Sequence, residues 1–162
     1  MSTNSPVPRD RLGEVAYQGL WWAIVALPAL VVALRVATTE LAGTFFLYVV
    51  IGLPATVALQ VIAGLLAWTY RRRQWRHFLG RVASVLSFVY YGLWALLALA
   101  VPETAPGRKL DSLAGRLFGD GFADGLSATL FVLVPLIYLA MLGAIWFEGN
   151  RAVRYWDATV TG

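Results

Sequence analysis

The chain has 162 residues, of which 59% are hydrophobic and only 14% are charged, and its mean hydropathy is +0.68. A soluble domain carries about 25% charged residues, and a single small core cannot bury so large an apolar fraction, so the composition excludes a water-soluble globular protein. It also excludes a disordered chain, which needs low hydrophobicity and high charge. The sequence therefore predicts an all-α integral membrane protein.

The N-terminal segment is the first element along the chain. Residues 1–16 combine small polar residues with two prolines, which predicts a disordered cytoplasmic tail, and residues 17–162 are expected to form a single transmembrane domain. Basic residues before a short apolar run are also typical of a cleaved signal peptide. Asp10 and Glu14 before the run, and Arg35 after it, favour a retained membrane helix instead.

Four long apolar stretches predict four transmembrane helices, because about 20 apolar residues cross a hydrocarbon core of ~30 Å. The stretches are apolar on all sides, whereas barrel strands alternate polar and apolar residues. We expect an up-and-down bundle with spans at about 19–36, 43–70, 82–102 and 125–147.

The second predicted span carries a ladder of small and polar residues. Members recur every four positions and so share one helix face, and the third span has a similar ladder. The two ladders suggest that these antiparallel spans are neighbours. The ladder is interpreted either as a helix-packing seam or as the lining of a pore or ligand cleft, and its members are Gly52, Thr56, Gln60, Gly64, Ser87 and Tyr91.

Three of the spans contain a central proline, at Pro28, Pro54 and Pro135. Each proline removes one backbone hydrogen bond and clashes with the carbonyl four residues earlier, which predicts a helix kink. Freed carbonyls line cavities or bind cations in some transporters, although neighbouring helices often satisfy them.

The loop after the second span determines the predicted orientation, because short cytoplasmic loops are enriched in basic residues. With both termini cytoplasmic, nine of the 13 basic residues lie inside, and most tryptophans fall at cytoplasmic helix ends. The same cluster is expected to contact anionic lipid headgroups. Its members are Arg71, Arg72, Arg73, Arg76 and Arg81, with Trp75 anchoring in the interface.

The loop between the third and fourth spans, about 103–124, predicts a short amphipathic helix on the extracytoplasmic surface. Its apolar positions are Leu110, Leu113, Leu117 and Phe118. Asp111 is the expected cap, and Gly119 and Gly121 are expected to end the helix.

The sequence offers no residues for catalysis. The spans hold no acidic or basic residue in their interior, and the chain has no cysteine and one histidine, so we expect neither an enzyme nor a cofactor. We expect a multi-pass protein of a bacterial cell membrane that acts as a structural or accessory subunit. Its predicted partners are anionic lipids and other membrane proteins, in a homo- or hetero-oligomer, and not nucleic acid. The alternative is an oligomeric channel or transporter that uses the kinked helices and the Gln60 face.

Overall fold

The computed structural model describes residues 11–38, 43–74, 79–105 and 108–160. Helices dominate it, and one short hairpin interrupts them. The elements in chain order are α1 (Arg11–Thr38), α2 (Gly43–Leu47), a π-helical turn (Tyr48–Gly52), α3 (Leu53–Gln74), α4 (Arg81–Ala100), β1 (Glu103–Ala105), β2 (Arg108–Leu110), α5 (Leu113–Phe118) and α6 (Asp120–Val160).

Four helical segments are long and apolar enough to cross a membrane, which confirms the four predicted apolar helices. They are Arg11–Ala37, Gly43–Tyr70, Arg81–Ala100 and Asp120–Arg154. Each is apolar on all sides, which is typical of a helix that packs on one face and meets lipid on the other. In α6, for example, Val134 and Met141 are buried, whereas Val132 and Leu139 are more than half exposed.

The start of α1 differs from the prediction of a disordered tail through residue 16. The helix begins at Arg11, so residues 11–16 are helical, while residues 1–10 lie outside the described part of the chain. Packing against the start of α4 explains the difference. Ala16 is fully buried, and the carbonyl of Gly13 accepts a hydrogen bond from the backbone N–H of Leu79 at 3.0 Å. About one and a half extra turns are stabilised in this way.

The order of the helices around the bundle was not predicted correctly. α1 packs against α3 and α4, and α6 packs against the same two helices, so α3 and α4 lie on the diagonal of the described bundle. The prediction that the second and third spans are neighbours that share a packing seam is therefore wrong. Ala16 and Ala83, both fully buried, are small enough to let α1 and α4 approach closely.

Contacts at the two ends of the bundle show which helices run parallel to one another. Gly13 meets Leu79 where α1 and α4 begin, and Arg35 meets Val101 where both helices end. α1 and α4 are therefore parallel neighbours. The second span begins beside Glu103 and ends beside Asn150, so it runs the opposite way.

The loop between α4 and α6 contains a hairpin as well as a helix. β1 and β2 pair antiparallel, with Glu103 opposite Leu110, and Pro106-Gly107 lies between the strands in the sequence. In α5 the cap is Ser112, whose side chain accepts a hydrogen bond from the N–H of Gly115 at 3.0 Å, and not Asp111 as predicted. A hydroxyl directly before the first turn has the better geometry for this bond.

The end of α5 also departs in part from the sequence-based expectation. Gly119 follows the helix with φ of +90°, a conformation that favours glycine. Gly121, the second expected terminator, lies instead within α6.

A buried ion pair ties together the end of the bundle that carries the hairpin. Nη1 of Arg35 lies 3.1 Å from Oε1 of Glu103 and 2.8 Å from the carbonyl oxygen of Val101. The other carboxylate oxygen of Glu103 accepts a hydrogen bond from the N–H of Phe45 at 3.1 Å, near the start of α2. One carboxylate thus joins α1, β1 and α2.

A second carboxylate ties the opposite end. The side chain of Glu148, from α6, accepts hydrogen bonds from the N–H groups of Val82 and Ala83 at 3.2 and 3.1 Å. These donors belong to the first turn of α4, which has no helical partner for them. Gly80 leaves the room that Glu148 needs, because a Cβ there would overlap the carboxylate.

Candidate binding site at the centre of the bundle

The ladder of the second span faces the interior of the bundle. Thr56, Gln60 and Gly64 are all buried, and Gln60 has no exposed surface. The hydroxyl of Thr56 donates to the carbonyl of Gly52 at 2.6 Å, and Gly64 faces the indole of Trp21 on α1. Only Gln60 therefore brings uncommitted polar atoms to the centre.

The ladder residues of α4 lie at the same centre of the bundle, on the side opposite α3. Ser87 is fully buried, and its hydroxyl donates to the carbonyl of Ala83 at 2.8 Å, so it is satisfied within its own helix. Tyr91 is partly exposed, but its hydroxyl is buried. Tyr90, which sequence reasoning did not single out, is the largest fully buried side chain of α4.

An aromatic cluster surrounds Tyr90. Its ring centroid lies 5.5 Å from that of Tyr138 on α6 and 6.4 Å from that of Trp94 on α4. The hydroxyl of Tyr138 donates to the carbonyl of Leu59 at 2.8 Å and so bridges α6 to α3. The spacing of Ser87, Tyr90 and Trp94 along one helix face was the signal available in the sequence.

Several polar atoms in this region are buried without a hydrogen-bond partner. The amide of Gln60 and the indole N–H of Trp94 lie near the hydroxyl of Tyr90 and interact with it, but no contact reaches hydrogen-bond geometry. Most buried polar groups in proteins are paired, so such a concentration requires an explanation. The atoms are Gln60 Nε2 and Oε1, Trp94 Nε1 and the hydroxyls of Tyr48, Tyr90 and Tyr91.

Two cavities adjoin this cluster. The outer cavity, of about 300 Å³, lies between α1, the π-helical turn and α4, and Arg35, Tyr48 and Trp94 form part of its wall. The inner cavity, of about 370 Å³, lies between α3, α4 and α6, with Tyr90 and Trp94 in its wall. Trp94 borders both cavities, as do Leu97 and Phe131.

The three prolines occupy different environments. Pro28 is buried inside α1, which continues as a helix past it. Pro54 is separated from the π-helical turn by Leu53, whose N–H donates to the carbonyl of Tyr48 and caps the turn. Pro135 lies on the wall of the inner cavity. The irregular turn before Pro54 also forms part of the outer cavity, through Tyr48 and Gly52.

The predicted lipid-binding arginines fall largely outside the described side chains. The backbone of Arg71, Arg72 and Arg73 belongs to α3, and Arg81 begins α4 with an exposed side chain. Trp75 and Arg76 lie outside the described residues. Contact with anionic lipids stays a prediction.

Comparison with known proteins adds no relative. No protein-family model, no curated protein and no solved structure matches the chain. Among the described residues, no group of three or more histidine, aspartate or glutamate side chains is placed to hold a metal ion.

Proposed function

We propose that this chain is a non-catalytic, multi-pass protein of the cell membrane that packs with partner membrane proteins through the outer face of α6. The observation that carries the proposal is a row of open glycines on that face. Gly121, Gly125 and Gly143 lie there, and a Cβ added at any of them would meet no atom within 4 Å.

The glycine row lies opposite the face that α6 buries in its own bundle. Leu130, Val134 and Met141 form the buried side, whereas Gly125 and Gly143 are exposed on the other side. Within a helix, glycine is about 1 kcal/mol less favourable than alanine, and these glycines relieve no contact inside this chain. Small residues on a membrane helix let a second helix approach closely, so a partner helix supplies the reason for them.

The positions of the charged residues support a non-catalytic role. The buried carboxylate of Glu103 and the partly buried carboxylate of Glu148 are both used in contacts that hold helix ends together. Charged groups within a membrane usually mark ion or proton pathways, and the spans of this sequence carry theirs at the ends.

The channel or transporter alternative has weaker support. Its basis is Gln60, which is fully buried and whose amide has no hydrogen-bond partner. A path for hydrated ions needs a polar wall, whereas apolar residues such as Leu97, Phe131 and Val134 dominate the walls of the cavities.

A cysteine crosslinking experiment tests the packing proposal, because the natural chain has no cysteine. We expect the Gly143→Cys variant, labelled in native membranes with a benzophenone maleimide, to form a photo-adduct of discrete mass with a membrane protein, which mass spectrometry then identifies. The matched control is Gly92→Cys on α4, which is also exposed and also has open space around it.

The comparison between the two positions decides the outcome. An adduct at position 143 but not at position 92 supports an interface on α6, and an adduct of twice the chain mass indicates a homo-oligomer. Equal labelling of lipid alone at both positions contradicts the proposal. So does purification of the chain in mild detergent as a monomer without any companion.

A further inference from the structure

We infer that the central cluster of Gln60, Tyr90 and Trp94, with the two adjoining cavities, binds a neutral lipid-soluble molecule that has a planar, carbonyl-bearing head and an apolar tail. Prenylated quinones have this chemistry. The inference is independent of the packing surface on α6, because it concerns the interior of the bundle.

The cluster contains buried polar side chains without hydrogen-bond partners. Gln60 and Tyr90 have no exposed surface, and their side-chain polar atoms find no hydrogen-bond partner among the described residues. An unpaired buried polar group lowers the stability of a protein, a cost that a leucine or phenylalanine at the same place avoids. Groups of this kind are expected where a ligand completes the hydrogen bonds.

The donors and acceptors of the cluster indicate which polar atoms a ligand must carry. Of the groups in the cavity walls, the indole N–H of Trp94 is only a donor and the hydroxyl of Tyr90 can donate. The amide of Gln60, next to Tyr90, has a donor nitrogen and an acceptor oxygen. A matching head therefore presents oxygen acceptors. Carbonyl oxygens fit this requirement.

The charges around the cluster indicate whether the head of the ligand is charged or neutral. The groups nearest the cluster are uncharged at neutral pH, and the one cation in the cavity walls, Arg35, is paired with Glu103 at the end of the bundle. A charged head placed at Tyr90 would lose its hydration without a counter-charge, which is costly. The head is therefore neutral.

The aromatic rings and the two cavities favour a ligand with a flat head. Tyr90, Trp94 and Tyr138 form a cluster with ring centroids 5.5 and 6.4 Å from Tyr90, which favours contact with a flat ring. Each cavity, at about 300 and 370 Å³, lies in the range of sites for small ligands, and their shared border at Trp94 allows a head in one and a tail in the other.

An apolar ligand must also be able to enter the cavities from the bilayer. Phe131 belongs to the walls of both cavities and is also 60% exposed, on a side of α6 away from the glycine row. Both cavities are therefore bordered by a residue placed to face lipid, and an apolar molecule reaches them without crossing water.

Binding of decylubiquinone to the full chain in phosphatidylcholine nanodiscs tests the inference. We expect saturable binding, measured by quenching of tryptophan fluorescence and by a rise in the melting temperature. The Tyr90→Phe variant keeps the ring and removes the hydroxyl, and we expect at least fivefold weaker binding, as for loss of one buried hydrogen bond. Gln60→Leu is the second variant.

Matched controls separate the site from general effects. Tyr70→Phe removes a hydroxyl at the end of the bundle, where it contacts Asn150, and is expected to bind the probe as the natural chain does. Without the probe, Tyr90→Phe and Gln60→Leu are expected to melt at the same or a higher temperature, because each removes an unpaired polar group.

Three results would overturn the inference. The first is the absence of saturable binding to the natural chain. The second is unchanged binding by a folded Tyr90→Phe variant together with a folded Gln60→Leu variant. The third is equal or tighter binding of dioctanoylglycerol, which has ester carbonyls but no planar ring and would assign the site to a different lipid class.

Discussion

At the scale of single residues, the pair of Arg35 and Glu103 shows how this chain uses its few charges. Both side chains are buried, and each makes a further hydrogen bond, Arg35 to Val101 and Glu103 to Phe45. A buried ion pair stabilises a protein only when such additional bonds offset the loss of hydration. Removing one partner leaves the other as an uncompensated buried charge.

We expect the Arg35→Ala variant to lower the free energy of unfolding by about 3–5 kcal/mol, because it leaves the carboxylate of Glu103 buried without its partner. Thermal unfolding of the full chain in detergent micelles measures this loss. The double variant Arg35→Met with Glu103→Leu is expected to recover part of it, since no charge then remains buried. A single variant that melts like the natural chain would show that the pair is not needed.

At the scale of elements, the helix ends are held by side chains from distant parts of the sequence. α4 begins after Gly80, whose own side chain cannot cap the helix, and Glu148 of α6 supplies the acceptor instead. The second span solves a different problem, because Pro54 has no N–H to donate, and a π-helical turn precedes it. Local propensity alone does not explain either feature.

We expect the Glu148→Ala variant to lose about 1–2 kcal/mol of stability, because two N–H groups in the first turn of α4 lose their acceptor. Thermal unfolding in micelles again provides the measurement. The matched control is Glu14→Ala, which removes an exposed glutamate from the first turn of α1 and is expected to change stability by less than about 0.5 kcal/mol. Equal effects of the two substitutions would argue against a specific cap.

At the scale of the whole molecule, the four spans form a ring in which the second and third are diagonal. This arrangement places Gln60 of α3 opposite Tyr90 of α4 at the centre of the bundle, with α1 and α6 on either side. The 41 residues of α6 extend over about 60 Å, roughly twice the thickness of the hydrocarbon core. The helix is therefore longer than one membrane span, and the orientation predicted from the sequence would place its last turns on the cytoplasmic side.

Cysteine labelling of intact bacterial spheroplasts tests that orientation, since the natural chain offers no competing thiol. We expect a membrane-impermeant maleimide to label Phe118→Cys in α5, which is exposed on the proposed outer side. Arg154→Cys, exposed near the end of α6, is expected to react only after the membrane is opened. The reverse pattern would invert the topology.

The sequence by itself determined the four long apolar helices and the shared helix face of Thr56, Gln60 and Gly64. These follow from composition and from the period of the helix, because lipid forces each apolar span to be helical. Only the tertiary structure decided which helices are neighbours, and it brought Gln60, Tyr90 and Trp94 together and paired Arg35 with Glu103. Periodicity assigns residues to a face of one helix, whereas contacts between helices depend on how small and large side chains fit across them.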